Sequence, residues 1–391
     1  MVKKGSEKMS QVELLAIIDN KIEQVRTKSL DLSFNEIVDM YRDGEFEISP
    51  AYQRLFRWSE EKQSQFIESL ILEMPIPPIY VIEKDEGQYE LIDGLQRIST
   101  YLHFRGELAN PNNHSTDEME EENVRFLTLT GCDIVKELNG LTYEKLPKTL
   151  QIRLKRSFVR VEVIRKGSDS RLRYYMFKRL NTGGELLSEQ EIRNCTIRLL
   201  DDTFNDFIIE LSGYSHFQNT ISHLNEEKIE KKEDQEYVLK YFAYKLDREN
   251  YKKNISSFLT TFMEKVSDEG HEEHIKFDYE KERKEFEKTF EILDLSLGEY
   301  AFDKLRKGKY ISGITSTHFD AFTMGIQPYL NIIDTEDTPL MEQLGEVFKA
   351  IKLDQAFLDN ASGGGKNTKN YLSKRIEVVQ KRVGDFLDGR S

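Results

Sequence analysis

The sequence predicts an α+β protein, with a mixed N-terminal domain and a mostly α-helical C-terminal domain. Three observations carry this reading. Period-two, β-branched or apolar runs at 79–83, 89–92 and 158–164 all fall before residue 165. From about Cys195 onward the apolar residues recur every three or four positions almost throughout. Between these two regimes Asn181-Thr-Gly-Gly184 interrupts the pattern. The expected organisation is a helical extension over 1–30, a mixed domain over 31–200 and a helical domain over 201–391.

Residues 1–10 read as a loose tail, and 11–25 as a helix with Leu14, Leu15, Ile17, Ile18 and Ile22 on one side. Ser33-Phe-Asn-Glu36 has capping-box spacing and opens a short helix through Met40. A brief strand is expected at 46–48. Pro50 holds Ser49 extended. Ser59 caps a helix to Glu73 with Phe66, Ile67, Leu70 and Ile71 inward, and Met74-Pro-Ile-Pro-Pro78 ends it. Residues 84–88 turn the chain between the strands at 79–83 and 89–92. Residues 107–124, with an Asn-Pro-Asn-Asn start and an acidic run, read as an exposed loop. A strand is expected at 126–129, a helix at 143–154 and a strand at 158–164. A helix at 171–180 stops at the glycine pair, and Ser188-Glu-Gln-Glu191 is a second capping box. Later helices are expected at 234–246, 258–266, 277–295, 318–330, 340–351 and 366–387, the last after a flexible loop at 360–365.

A chain of 391 residues has room for two domains. Hydrophobic content of 38% with 32% charge fits amphipathic helices, and no apolar run approaches a membrane span. The first residues lack the apolar core of a secretion signal. Cys132 and Cys195 give neither a disulfide framework nor metal-ligand spacing. A cytoplasmic location without membrane contact is expected. The net charge of −14 argues against indiscriminate nucleic-acid binding. Lys148 to Arg179, however, holds eleven Lys/Arg and only Glu162 and Asp169 as acids, a local +9 that leaves −23 for the remainder. Such a segment suits phosphate groups, with Arg153, Lys155, Arg156 and Arg179 as candidate nucleic-acid contacts. A solvated helix face paired with acids from elsewhere gives the same pattern.

The sharpest local feature is the run from Tyr89 to Phe104, a short strand that breaks at Asp93-Gly94 directly into a helix. The first N–H groups of such a helix are unpaired and carry partial positive charge, so they can hold an anion. Arg97 adds a full charge in the first turn. Asp93 can cap the helix or hold a hydrated cation. An ordinary strand-to-helix turn with a surface arginine would look identical. Upstream, Tyr52, Gln53 and Arg54 stand among Phe56, Arg57 and Trp58, a mixture suited to stacking a base and holding phosphates. Phe56 and Trp58 read better as loop anchors. Asn181, Thr182 and the glycines form either a turn or a ligand contact. His271-Glu-Glu-His274 lacks metalloprotease spacing, and Gly364-Gly-Lys366-Asn367 lacks the strand and hydroxyl of a P-loop. The last third shows no clustered His, Asn and acid pattern of a ββα-metal nuclease.

Three motifs in order resemble a known family. Pro50-Ala-Tyr-Gln-Arg54 with Trp58, Leu91-Ile-Asp-Gly-Leu-Gln-Arg97, and Phe177-Lys-Arg-Leu-Asn-Thr-Gly-Gly184 with Leu187, Glu191, Arg193 and Asn194 look like the N-terminal domain of GmrSD-type modification-dependent restriction enzymes. That family is similar to the ParB/sulfiredoxin superfamily. Its Asp-Gly-Gln-Gln-Arg hallmark is matched at Asp93, Gly94, Gln96 and Arg97, with Leu95 in place of the first Gln. The resemblance implies a ParB-like α+β domain that binds a nucleoside triphosphate (ATP, GTP or CTP), with Mg²⁺, at this turn. Its nucleotide set would be Tyr52, Gln53, Arg54, Gly94, Arg97, Asn181, Thr182 and Gly183. Asp93, Gln96 and Arg97 would act in hydrolysis, with Asp93 toward the metal. Arg193 joins the candidate DNA contacts. The implied setting is anti-phage defence, with DNA and a partner nuclease as candidate partners and an oligomer as a further option. Sulfinic-acid reduction is not implied, because the turn lacks the required Cys.

Three function classes therefore stand: a nucleotide-binding, NTP-hydrolysing defence protein; a non-catalytic nucleotide-switch or DNA-binding module; and a metal-dependent nuclease using Asp93. On the first, Arg97→Ala is expected to abolish nucleotide binding with the fold intact.

Overall fold

The computed structural model describes residues 11–23, 26–48, 56, 58–84, 87–108, 126–166, 168, 170–180, 188–363 and 365–390. The chain divides into two units, Met1–Glu185 and Leu186–Ser391.

The first unit contains α1 (Gln11–Glu23), β1 (Thr27–Ser33), α2 (Phe34–Arg42), β2 (Phe46–Glu47), α3 (Glu60–Ile71), β3 (Ile79–Glu83), β4 (Tyr89–Asp93), α4 (Leu95–Arg105), α5 (Lys148–Arg156), β5 (Phe158–Ile164) and α6 (Ser170–Leu180). Its five strands form one mixed sheet in the order β1-β5-β3-β4-β2. β1 runs antiparallel to β5 and β3 antiparallel to β4, while β3–β5 and β4–β2 are parallel. Alternation in β5 buries Val159, Val161 and Val163 and turns Phe158 and Arg160 outward. Ile79, Val81, Leu91 and Ile92 fill the sheet centre, and Ile67, Ile98, Leu102 and Phe104 come from the helices. Burying each such side chain stabilises the unit by roughly 1.5–3 kcal/mol. Phe34 locks α2 to α4 by packing on Tyr101 at 4.6 Å between centroids. Ser33 caps α2 by accepting from the Glu36 N–H at 3.1 Å.

Three expectations change. β1 is an additional strand, because Thr27–Ser33 carries only Leu30 and Leu32 and lies at the sheet edge, where one face needs no apolar residues. The strand expected at 126–129 is irregular: Leu129 instead exchanges backbone bonds with Leu141 and Gly140 at 2.9 and 2.8 Å. The helix expected over 143–154 splits into a 3₁₀ turn, Tyr143–Lys145, and α5, because Pro147 lacks the N–H that a continuous helix needs.

The second unit is a helical assembly of α7 (Glu189–Thr196), α8 (Thr203–Ser212), α9 (Ser215–Thr220), α10 (Glu226–Glu230), α11 (Glu233–Asp247), α12 (Ile255–Ser267), α13 (Tyr279–Leu297), α14 (Ser316–Gly325), α15 (Thr338–Leu353), α16 (Gln355–Ala361) and α17 (Lys369–Asp388). A small hairpin, β6 (Lys304–Arg306) and β7 (Lys309–Ile311), and helices α8, α9, α10 and α16 were not among the expected elements. Ser188 and Glu191 form the expected capping box at α7. The core is aromatic: Phe242 stacks on Phe286 at 5.7 Å and Phe290 packs on Phe286 at 4.5 Å. No helix among the described residues is long and apolar enough to cross a membrane.

His318 on α14 is 1% exposed, packs edge-on against Phe322 and Phe357, and has no hydrogen-bond partner for either ring nitrogen among the described residues. Burial, and then the positive charge of Lys352, Lys304 and Arg375, hold its pKa down at about 3, against 6.5 in the unfolded chain. Between those values the unfolded state binds the proton and the folded state does not, so stability falls as pH drops from 6.5 toward 3. The slope from this group is on the order of 1 kcal/mol per pH unit. His318→Leu is expected to flatten the loss in urea midpoint between neutral and mildly acidic pH; an unchanged pH slope would exclude this origin.

Candidate functional site

Leu91 and Ile92 are buried, so β4 arrives at a fixed position and the chain must become helical within one residue. Gly94 accomplishes this at φ +103°, ψ 11°, a region that L side chains avoid. A Cβ at Gly94 would stand 3.0 Å from the Ile79 Cβ and closer still to its Cγ2. Both the dihedral and the contact demand glycine. Gly94, lacking a side chain, makes no cap bond to the N-terminus of α4. Leu95 points into the core, at 4% exposure, which explains why an apolar residue sits inside an otherwise polar motif.

Arg97 turns back onto the fold. Its Nη2 donates to Asp93 Oδ2 at 3.0 Å, and its Nη1 donates to the Pro78 carbonyl at 3.0 Å and also to that of Pro77. The Arg97 side chain is 13% exposed and that of Asp93 29%. Burial raises the Asp93 pKa above the usual carboxylate range, partly opposed by the Arg97 charge and by the Gly94 N–H. One guanidinium thus ties the proline-rich 74–78 segment to the strand–helix turn. This corrects the expectation that Arg97→Ala leaves the fold intact. The substitution strands two carbonyls and a half-buried carboxylate, and is expected to cost about 1–3 kcal/mol, read as a lowered urea midpoint.

Gln96 has a similar anchoring contact. Its Oε1 accepts from the Trp58 N–H at 3.0 Å, while Gln63 Nε2 donates to the Trp58 carbonyl at 2.7 Å. His103 Nδ1 in turn meets Gln63 Oε1 at 2.9 Å. Trp58 packs on Phe66 at 5.8 Å and Phe56 on His103 at 6.3 Å, as expected for loop anchors. The chain leaving residues 49–55 is therefore fastened to the first turn of α4. Tyr52, Gln53, Arg54, Asn181, Thr182 and Gly183 lie outside the described residues.

The basic residues separate. Arg153 and Arg156 are exposed on a groove of about 950 Å³ that Met74, Pro75, Pro78, Ile152, Phe158 and Arg160 also line. Arg153 donates to the Ile71 carbonyl at 3.2 Å and pairs with Glu73 at 3.4 Å. Arg160 pairs with Asp31 at 3.1 Å across the β1–β5 edge. Lys155 is half-buried, and Arg179 is exposed on α6. Arg193 belongs to the helical unit, at 2% exposure, and donates to Gln190 and Glu236. Its guanidinium is committed inside that unit. Phe158, 66% exposed, and Arg160 were not among the candidates. Their signal was available: in a strand alternating Phe-Val-Arg-Val-Glu-Val, they occupy the side opposite the valines.

Pro78 lines this groove, and its carbonyl holds Arg97. The turn and the groove thus share one short segment of chain. Among the described residues no group of three or more His, Cys, Asp or Glu is placed to hold a metal ion.

Residues 34–198 match the family model described as GmrSD restriction endonuclease, N-terminal domain. No curated protein and no solved structure matches the chain.

Proposed function

Since residues 34–198 are a GmrSD restriction endonuclease N-terminal domain, we propose that the chain is a nucleotide-binding protein of a restriction-type defence system, with the Asp93-Gly94 turn as its triphosphate site and DNA as its partner. The observation that carries this reading is the Gly94 turn: a helix that starts on a left-handed glycine, packed without room for a side chain and braced by Arg97. The strand–glycine–helix turn on a mixed sheet supports a ParB/sulfiredoxin-like reading of the unit. First-turn amides of α4 would face phosphate oxygens. Arg97 is a positioning residue that keeps the turn and Asp93 in register. Gln96 holds the chain at Trp58, and Arg54, four positions earlier in the sequence, would supply the charge that Arg97 spends on the turn. Asp93 offers one carboxylate with Oδ2 already on Arg97. It fits Mg²⁺ in the mode where triphosphate and waters supply most ligands. The ion would neutralise phosphate charge.

The groove of Arg153, Arg156, Arg160 and exposed Phe158 suits a nucleic-acid backbone with one base stacked. Because the 74–78 segment borders the groove and is tied to the turn, nucleotide occupancy there would be felt where DNA is held. One feature favours binding over hydrolysis: Asp93 Oδ2 and Gln96 Oε1 are both taken up by anchoring contacts. A nucleotide switch is accordingly the second reading.

A thermal-shift panel of ATP, GTP, CTP and UTP with Mg²⁺, followed by phosphate-release assays with and without DNA, tests both. One nucleotide should raise the midpoint in a saturable way. Release of phosphate supports turnover, and saturable binding without release supports the switch. No stabilisation by any of the four removes the nucleotide assignment.

A further inference from the structure

The helical unit contains a cavity of about 170 Å³, well above the roughly 10–15 Å³ that one water needs. Its walls come from α11, the turn leading into α12, and helices α14 and α17. At its base Asp320 receives two cations: Lys240 Nζ at 2.5 Å on Oδ1 and Arg375 Nη2 at 2.5 Å on Oδ2. The three are 2–6% exposed. One carboxylate between two cations leaves a net positive charge out of water, an arrangement that calls for a further anion.

The other acids at the wall do not supply it. Glu236 accepts from Arg193, and Glu233 pairs with Lys228 at 3.0 Å. Arg375 Nε is buried and has no hydrogen-bond partner among the described residues. Lys253, exposed at the mouth, adds a third cation to the lining. Tyr237, Tyr244 and Tyr251 complete the walls. Burial first, and then nearby carboxylates, raise all three phenol pKa values, so each keeps its proton at neutral pH. Tyr251 donates its proton to the Asn367 carbonyl at 2.9 Å and Tyr244 bonds to Tyr251, which makes Tyr237 the candidate hydroxyl donor.

We propose that this cavity binds a phosphate group, held by Arg375, Lys240 and Lys253 with the Tyr237 hydroxyl as a donor. Paired cations and a neutral donor around one carboxylate select a compact oxyanion. The volume admits that group with some water. Inorganic phosphate and the end of a phosphomonoester share this chemistry. The site belongs to the second unit and does not depend on the nucleotide reading of the first.

The test is calorimetric titration of the full chain with inorganic phosphate and with AMP, at constant ionic strength balanced by chloride. The expected result is saturable binding of at least one of them. AMP tighter than phosphate identifies a phosphomonoester, and equal or weaker AMP identifies the free ion. Lys253→Glu, exposed and harmless to packing, should weaken binding at least ten-fold without moving the melting point in chloride. Lys240→Met should abolish it. Absence of saturable binding overturns the proposal. So does binding that Lys253→Glu leaves unchanged, which also decides the matter if Lys240→Met fails to fold.

Discussion

Replacing Gly94 by alanine is expected to destabilise the first unit by about 2–4 kcal/mol and to remove nucleotide-induced stabilisation. Two costs add. A non-glycine residue at φ +103° pays the left-handed penalty, and its Cβ collides with Ile79. They can be separated. Ile79→Ala opens the space without altering the dihedral, so the double variant should recover the steric part, a coupling of about 0.5–3 kcal/mol. Chemical denaturation of the four proteins measures it. If Gly94→Ala is as stable as the parent, the turn is not the constrained element described here. If it is destabilised and still binds nucleotide fully, the triphosphate lies elsewhere.

Replacing Asp320 by alanine is expected to cost about 3–5 kcal/mol, because it leaves two buried cations facing each other. Lys240 and Arg375 come from α11 and α17, so losing their shared carboxylate should loosen the junction of those helices with α14. The deficit should shrink when phosphate is added, since an external anion can replace the missing charge, and shrink less in equimolar chloride. A deficit below 1 kcal/mol, well under the range for a broken buried pair, would mean that the cations reach solvent. A deficit that phosphate and chloride relieve equally would reflect screening rather than a site.

The amino-acid pattern by itself determined most of the scaffold. Alternation at 79–83, 89–92 and 158–164 and the helical spacing beyond Cys195 specify which residues turn inward, a local property of backbone periodicity. Capping residues Ser33, Ser59 and Ser188 mark helix starts because their oxygens meet backbone N–H groups within three residues. The glycine at the β4–α4 turn was equally legible. Tertiary structure decided what the polar side chains do. Arg97 reads as a free charge beside Gly94, but two proline carbonyls nineteen and twenty residues away claim it. Gln96 reads as a ligand and is found on the Trp58 backbone. Arg193 sits in a family motif and is buried against Glu236. Strand β1 needed its partner β5 to become a strand, and the Arg153–Arg156–Arg160 groove needed α5 and β5 to be side by side. The Asp320 cluster joins residues 240, 320 and 375, whose separations carry no signal along the chain. The physical reason is the same in each case. Burial follows from a local period, whereas a charge takes whichever partner the fold brings within hydrogen-bonding distance.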